Sequence, residues 1–130
     1  MRRHHMNNIK NILLADDETS LRKSMAFLLE KAGFNVIQCD NGVEAIMSTQ
    51  NTLIDLALID LKMRNIDGIT AIESMYRLKP TLPVVVITAY ADNTTLDKLP
   101  ENVIEHFIKP FEVNNVIKFL NDYFAAHGNF

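Results

Sequence analysis

The sequence predicts an α/β domain in which a parallel sheet lies between helical layers. Five short apolar runs alternate with five segments whose apolar residues recur at helical spacing. Two of the runs, around Leu56–Ile59 and Val84–Ile87, are apolar on both faces, as strands inside a covered sheet must be. Right-handed crossovers between successive strands then make the sheet parallel. At 130 residues, 48% hydrophobic and 22% charged, the chain suits one domain with one core.

The elements follow in order. Residues 1–9, polar and with Arg2, Arg3, His4 and His5 clustered, read as a disordered tail outside the fold. Asn11–Ala15 is the first strand, running into Asp16-Asp17-Glu18, an acidic cluster suited to a helix start. Leu21, Met25, Leu28, Leu29 and Ala32 mark the inner face of helix one, and Gly33 caps it. Phe34–Cys39 is strand two. Asp40-Asn41-Gly42 turns the chain into a second helix marked by Val43, Ile46 and Met47. Ile54–Asp60 is the central strand. Ile69, Ile72, Met75 and Tyr76 line helix three, which starts near Asp67 and cannot pass Pro80. Pro83–Ile87 is the fourth strand, ending at Thr88, and Asp92–Leu99 is a short fourth helix limited by Pro100. Val103–Ile108 is the fifth strand. Val113, Val116, Ile117, Leu120 and Phe124 give the last amphipathic helix, with 127–130 as a C-terminal tail.

Composition narrows the function. A net charge of −3 with scattered Lys and Arg leaves no footprint for a nucleic-acid backbone or an anionic membrane. The single Cys39 excludes an internal disulfide, and no segment reads as a signal peptide or bilayer span, so the expected compartment is the cytoplasm. Cys39 and Met25, Met47 and Met75 read as packing residues rather than as redox or cofactor groups.

Chemistry concentrates where strands end. Asp16 and Asp17, Asp60, Thr88 and Lys109 are each the first polar residues after an apolar run, and in a parallel sheet such positions gather at one edge, the ligand crevice of open α/β folds. Clustered carboxylates repel unless a cation neutralises them. Mg²⁺ suits such oxygen ligands and is commonly shared with a phosphate, so the substrate should carry a phosphoryl group. In phosphoryl transfer a metal, an ammonium and a hydroxyl spread over the equatorial oxygens while a nucleophile attacks in line, roles that fit Asp60, Lys109 and Thr88.

Asp16-Asp17, Asp60, Thr88-Ala89 and Lys109-Pro110, in this order on strand ends, resemble the signature of the receiver domains of two-component response regulators. The resemblance spans about Lys10 to Phe124, within a domain of residues 10–126. It implies a flavodoxin-like (βα)5 sandwich with strand order 2-1-3-4-5. It also implies Asp60 as acceptor of a phosphoryl group from a histidine kinase or histidine phosphotransfer protein, and a downstream protein partner. Asp17, Asp60 and the carbonyl of Lys62 would bind Mg²⁺, Asp16 would hold it through water, and Thr88 and Lys109 would take the phosphoryl oxygens. Gly68 matches the family's glycine after the central loop, and the Lys109-Pro110 bond is expected to be cis.

Three features depart from the commonest pattern. Arg64 stands where the family usually has a loop-stiffening proline, His106 where a switching Tyr or Phe is usual, and the segment around Leu96–Leu99 specifies its helix poorly. Lys62, Tyr90 and His106 match family members that stand alone as phosphorelay intermediates. With no output domain in the chain, this favours a relay role, and Lys62 and Tyr90, flanking the attack path, should slow hydrolysis of the phosphoryl group by excluding water. Arg64 reads more readily as a solvated loop charge than as a partner contact, and His106 as a strand-edge residue. Two other functions compete. A haloacid dehalogenase-type phosphatase needs a second acid where Lys62 stands, whereas a receiver-like interaction module that never turns over phosphate has no use for the acid, hydroxyl and lysine set.

Overall fold

The computed structural model describes residues 9–89 and 92–127. Its elements are β1 (Asn11–Ala15), α1 (Thr19–Lys31), β2 (Asn35–Cys39), α2 (Gly42–Asn51), β3 (Leu56–Asp60), α3 (Gly68–Leu78), β4 (Val84–Thr88), α4 (Asn93–Asp97), β5 (Val103–Ile108) and α5 (Val113–His127). The strands form one parallel sheet of order β2-β1-β3-β4-β5, the expected fold. Chain order reverses between β1 and β3, so a crevice opens beyond the carboxyl ends of those strands.

Both faces of the sheet are covered. One core joins Ile12, Leu14, Leu58, Val85 and Ile87 to Met25 and Leu29 of α1 and Val116 and Leu120 of α5. The other joins Leu13, Ala57, Ile59, Val84 and Val86 to Ala45 of α2 and Ile72 and Met75 of α3. Every residue of β3 and β4 is buried, which is why those two runs carry no alternation. Among the described residues no helix is long and apolar enough to cross a membrane.

Several boundaries and faces differ from the sequence expectation. Ile54 and Asp55 precede β3, because Asp55 is spent on β1: its Oδ2 accepts from the Asn11 N–H at 2.7 Å and its own N–H donates to the Asn11 carbonyl at 2.8 Å. The buried face of α1 is Arg22, Met25, Ala26 and Leu29, while Leu28 is exposed. The face has turned because Arg22 is wanted inside, donating from Nη1 to the Asp16 carbonyl at 2.9 Å and from Nε to Gln38 Oε1 at 3.1 Å. In α2 the inward residues are Gly42, Ala45 and Thr49, whereas Val43 and Met47 face solvent, Met47 at 52% exposure. Met47 is therefore not a core filler; the small residues let α2 lie close to the sheet and α3. The acidic cluster does not cap α1 with a side chain; instead Asp16 Oδ1 accepts from the Glu18 N–H at 2.9 Å. The side chains of Asn41, Asp67 and Asp92 do cap α2, α3 and α4. Helix α5 runs to His127, whose ring stacks on Tyr123 with centroids 4.1 Å apart, so this residue is helical rather than tail.

Cys39 is buried at the end of β2, with Sγ 3.5 Å from Ser48 Oγ. Burial pushes its thiol pKa up against the Ser48 hydroxyl, with the charges of Glu44 and Asp40 adding to the rise. An acid with a raised folded pKa contributes stability that is present below its ordinary value and lost as pH rises through the folded one. Alkylation of Cys39 near pH 8 should therefore run slower in the native protein than in urea, since burial both keeps the thiol protonated and shields it from the reagent. Equal rates would place the thiol at the surface.

Candidate active site

Four strand ends deliver the site. Asp16 and Asp17 follow β1, Asp60 closes β3, Thr88 closes β4 and Lys109 follows β5. Because the strands are parallel and in register, Asp60 paired with Ile87 and Thr88 with Ile108, their ends share one edge. Asp16 and Thr88 are fully buried, and Asp60 is 4% exposed.

Lys109 organises the inner side of this cluster. Its Nζ lies 2.9 Å from Asp60 Oδ2, 2.9 Å from Asp16 Oδ2 and 3.7 Å from Glu18 Oε1. Its peptide bond to Pro110 is cis, and its own N–H donates to the Thr88 carbonyl at 2.8 Å. Burial by itself would lower the Lys109 pKa, but hydrogen bonds and charge from Asp16 and Asp60 outweigh that and hold it above lysine's ordinary value. The ammonium stays charged throughout the neutral range. Burial raises the Asp60 carboxyl above its ordinary value; the Lys62 N–H, donating to Oδ1 at 3.0 Å, and the Lys109 ammonium oppose this, while the Asp16 charge adds to it.

One oxygen from each of Asp16, Asp17 and Asp60 lies within 4.8 Å of the others. Apart from the Lys109 ammonium, Asp16 Oδ2 has no hydrogen-bond partner, although it is buried. Three carboxylates this close, with a single ammonium on their inner side, leave negative charge that a further cation would neutralise. The all-oxygen donor set fits a hard divalent ion such as Mg²⁺ or Ca²⁺ rather than a thiophilic metal.

The remaining sequence-selected residues distribute differently. Lys62 is exposed directly after the β3 end and touches the site through its main chain. Tyr90 lies outside the described residues. His106 is exposed in the edge strand β5, in register with Val86, two rungs before the site edge. Arg64 is engaged with acidic residues rather than simply solvated. Its N–H donates to Asp17 Oδ2 at 3.1 Å, Nε lies 3.9 Å from the same oxygen, and Nη2 donates to Asp40 Oδ2 at 3.2 Å. Sequence reasoning missed Glu18, Asp40 and Arg22 as parts of this region. Arg22 carried a signal, since it falls at i−3 and i−4 from Met25 and Ala26 on the buried stripe; Asp40 carried none, because a turn former and an ion-pair partner look alike in sequence.

The family model for the response regulator receiver domain matches residues 12–121. Over 107 residues the chain is 31% identical to the transcriptional regulatory protein ZraR of Escherichia coli K12, covering 82% of this chain and 24% of that protein. The chain thus spans about a quarter of the length of such regulators. It is 26% identical over 121 residues to sporulation initiation phosphotransferase F of Bacillus subtilis 168, covering 92% of this chain and 98% of that one. Among solved structures, a CheY-like receiver domain protein of Methanospirillum hungatei superposes with a TM-score of 0.85 at 23% identity, covering 92% and 96% of the two chains. TrrA of Thermotoga maritima, solved in complex with Mg²⁺ and BeF, gives 0.78 at 23% identity over 88% and 98%.

Proposed function

The chain belongs to the response regulator receiver domain family, and on that premise we propose that Asp60 accepts a phosphoryl group from a phosphohistidine of a histidine kinase or histidine phosphotransfer protein. The observation that carries this is the setting of Asp60. It is a nearly buried carboxylate at a strand end with an ammonium 2.9 Å from one oxygen and two further carboxylates alongside. An Asp60 oxygen forms the bond to phosphorus as the phosphorus–nitrogen bond of the donor breaks, and the imidazole leaves with the electron pair and takes a proton from solvent.

Asp16, Asp17 and Asp60, with the carbonyl of Lys62, would hold Mg²⁺, whose charge when bound offsets that of the incoming phosphoryl group. The chain's own groups do the rest. Lys109, already on Asp60 Oδ2, can follow the negative charge onto a phosphoryl oxygen, and the Thr88 hydroxyl at the end of β4 offers a second donor. The Lys62 N–H on Oδ1 orients the carboxylate. Likeness along nearly the whole length of the sporulation phosphotransferase favours onward transfer to a second protein's histidine.

The test is intact-mass measurement after exposure to acetyl phosphate with Mg²⁺ or with EDTA. One added phosphoryl group, formed only with the metal, is the expected result. No gain under either condition would leave an interaction module that does not turn over phosphate.

A further inference from the structure

The three clustered carboxylates are neutralised from two sides. Lys109 covers the inner side, where Asp16 and Asp60 are buried. Arg64 covers the outer side, with its guanidinium spanning Asp17 and Asp40. From this arrangement we infer that the Arg64 guanidinium is a resident counter-cation that competes with the divalent ion for Asp17 and so sets the cation affinity of the site. The inference rests on reading the acidic cluster as a divalent-cation site.

Two bonds from one residue divide the work. Asp17 is oriented by the main chain, since the Arg64 N–H donates to Oδ2 at 3.1 Å and would do so with any side chain except proline. The loop that supplies this N–H is fixed independently: Ile66 packs so tightly on the start of α2 that a Cβ at Gly42 would meet Ile66 Cβ at 3.0 Å and its carbonyl carbon at 3.1 Å. The side chain therefore adds charge rather than position. With Nε 3.9 Å from Asp17 Oδ2, a divalent ion on the same carboxylate must either tolerate a like charge nearby or displace the guanidinium toward Asp40. Displacement is easy, because the Arg64 side chain is 62% exposed and such pairs are weak. Asp40 then acts as the parking site that draws the guanidinium off the cluster.

The sign of the effect separates this from a structural role. If Arg64 braced the loop, its removal would loosen Asp17 and weaken binding; as a competitor, its removal strengthens it. Calorimetric titration with Mg²⁺ alone, at about 50 mM salt, should give a dissociation constant about threefold to tenfold lower for Arg64→Ala than for the native chain. Arg64→Lys should stay within about twofold of native, and the Arg64→Ala gain should shrink in about 1 M salt, where exposed charges are screened. Asp40→Asn should weaken binding more in the native background than in Arg64→Ala, since only in the former is a guanidinium released onto Asp17. An unchanged or raised dissociation constant in Arg64→Ala, with binding intact in the native chain, overturns the inference alone. No saturable binding by any variant overturns the cation site and the inference with it.

Discussion

Replacing Asp60 with asparagine is expected to abolish labelling by acetyl phosphate while leaving the fold in place. A carboxamide oxygen is too weak a nucleophile to attack phosphorus, and removal of a covalent nucleophile commonly costs about 10³-fold or more in rate. The fold should tolerate the change because charge is lost on both sides of the balance. Lys109 gives up one anionic partner but keeps Asp16 Oδ2 at 2.9 Å, and the repulsion between Asp16 and Asp60 disappears. Since burial already disfavours the ionised Asp60, the neutral amide should not lower the melting temperature. Intact mass and thermal melting check the two halves separately. Labelling retained at one site in the folded variant would move the acceptor elsewhere in the chain.

The second large effect is on stability. Gly68 begins α3 directly beneath the β3 end, where a Cβ would strike the Asp60 carbonyl oxygen and come within 2.5 Å of Leu61 Cα and 2.8 Å of the Asp60 carbonyl carbon. These are main-chain atoms of the fully buried central strand and the residue after it, so nothing flexible can yield. Alanine would gain less than the about 1 kcal/mol of helix propensity that it brings to a helix interior, because Gly68 is the first helical residue. Overpacking against backbone should cost about 3 kcal/mol or more and win clearly. The Gly68→Ala melting temperature should drop on the order of 10 °C. Labelling of Asp60 should slow as well, since relief of the clash moves the main chain that carries its carboxylate. A melting point within a degree or two of native would mean that α3 can shift away freely.

Much of this protein is legible in the sequence. Alternating apolar runs and helical periods gave all ten elements, because each strand buried on both faces must be continuously apolar and each covering helix must show a stripe. The placement of Asp16, Asp17, Asp60, Thr88 and Lys109 together also followed, since parallel strands of similar length necessarily end at one edge. Faces were harder where residue size rather than polarity decides. Ala45, Gly42 and Thr49 won the interior of α2 over Val43 and Met47 because the gap beside α3 and Ile66 is narrow.

What only the tertiary structure decided is which charge meets which. Arg22 goes inside because the Asp16 carbonyl and Gln38, from two neighbouring strand ends, await its guanidinium. Arg64 reaches across to Asp17 and Asp40, 47 and 24 residues away in sequence, and that separation is why a local reading saw only a solvated loop charge. Periodicity reports the burial of apolar surface, which each segment expresses in its own pattern. An ion pair depends on the distance between two charged ends, and no single segment encodes that.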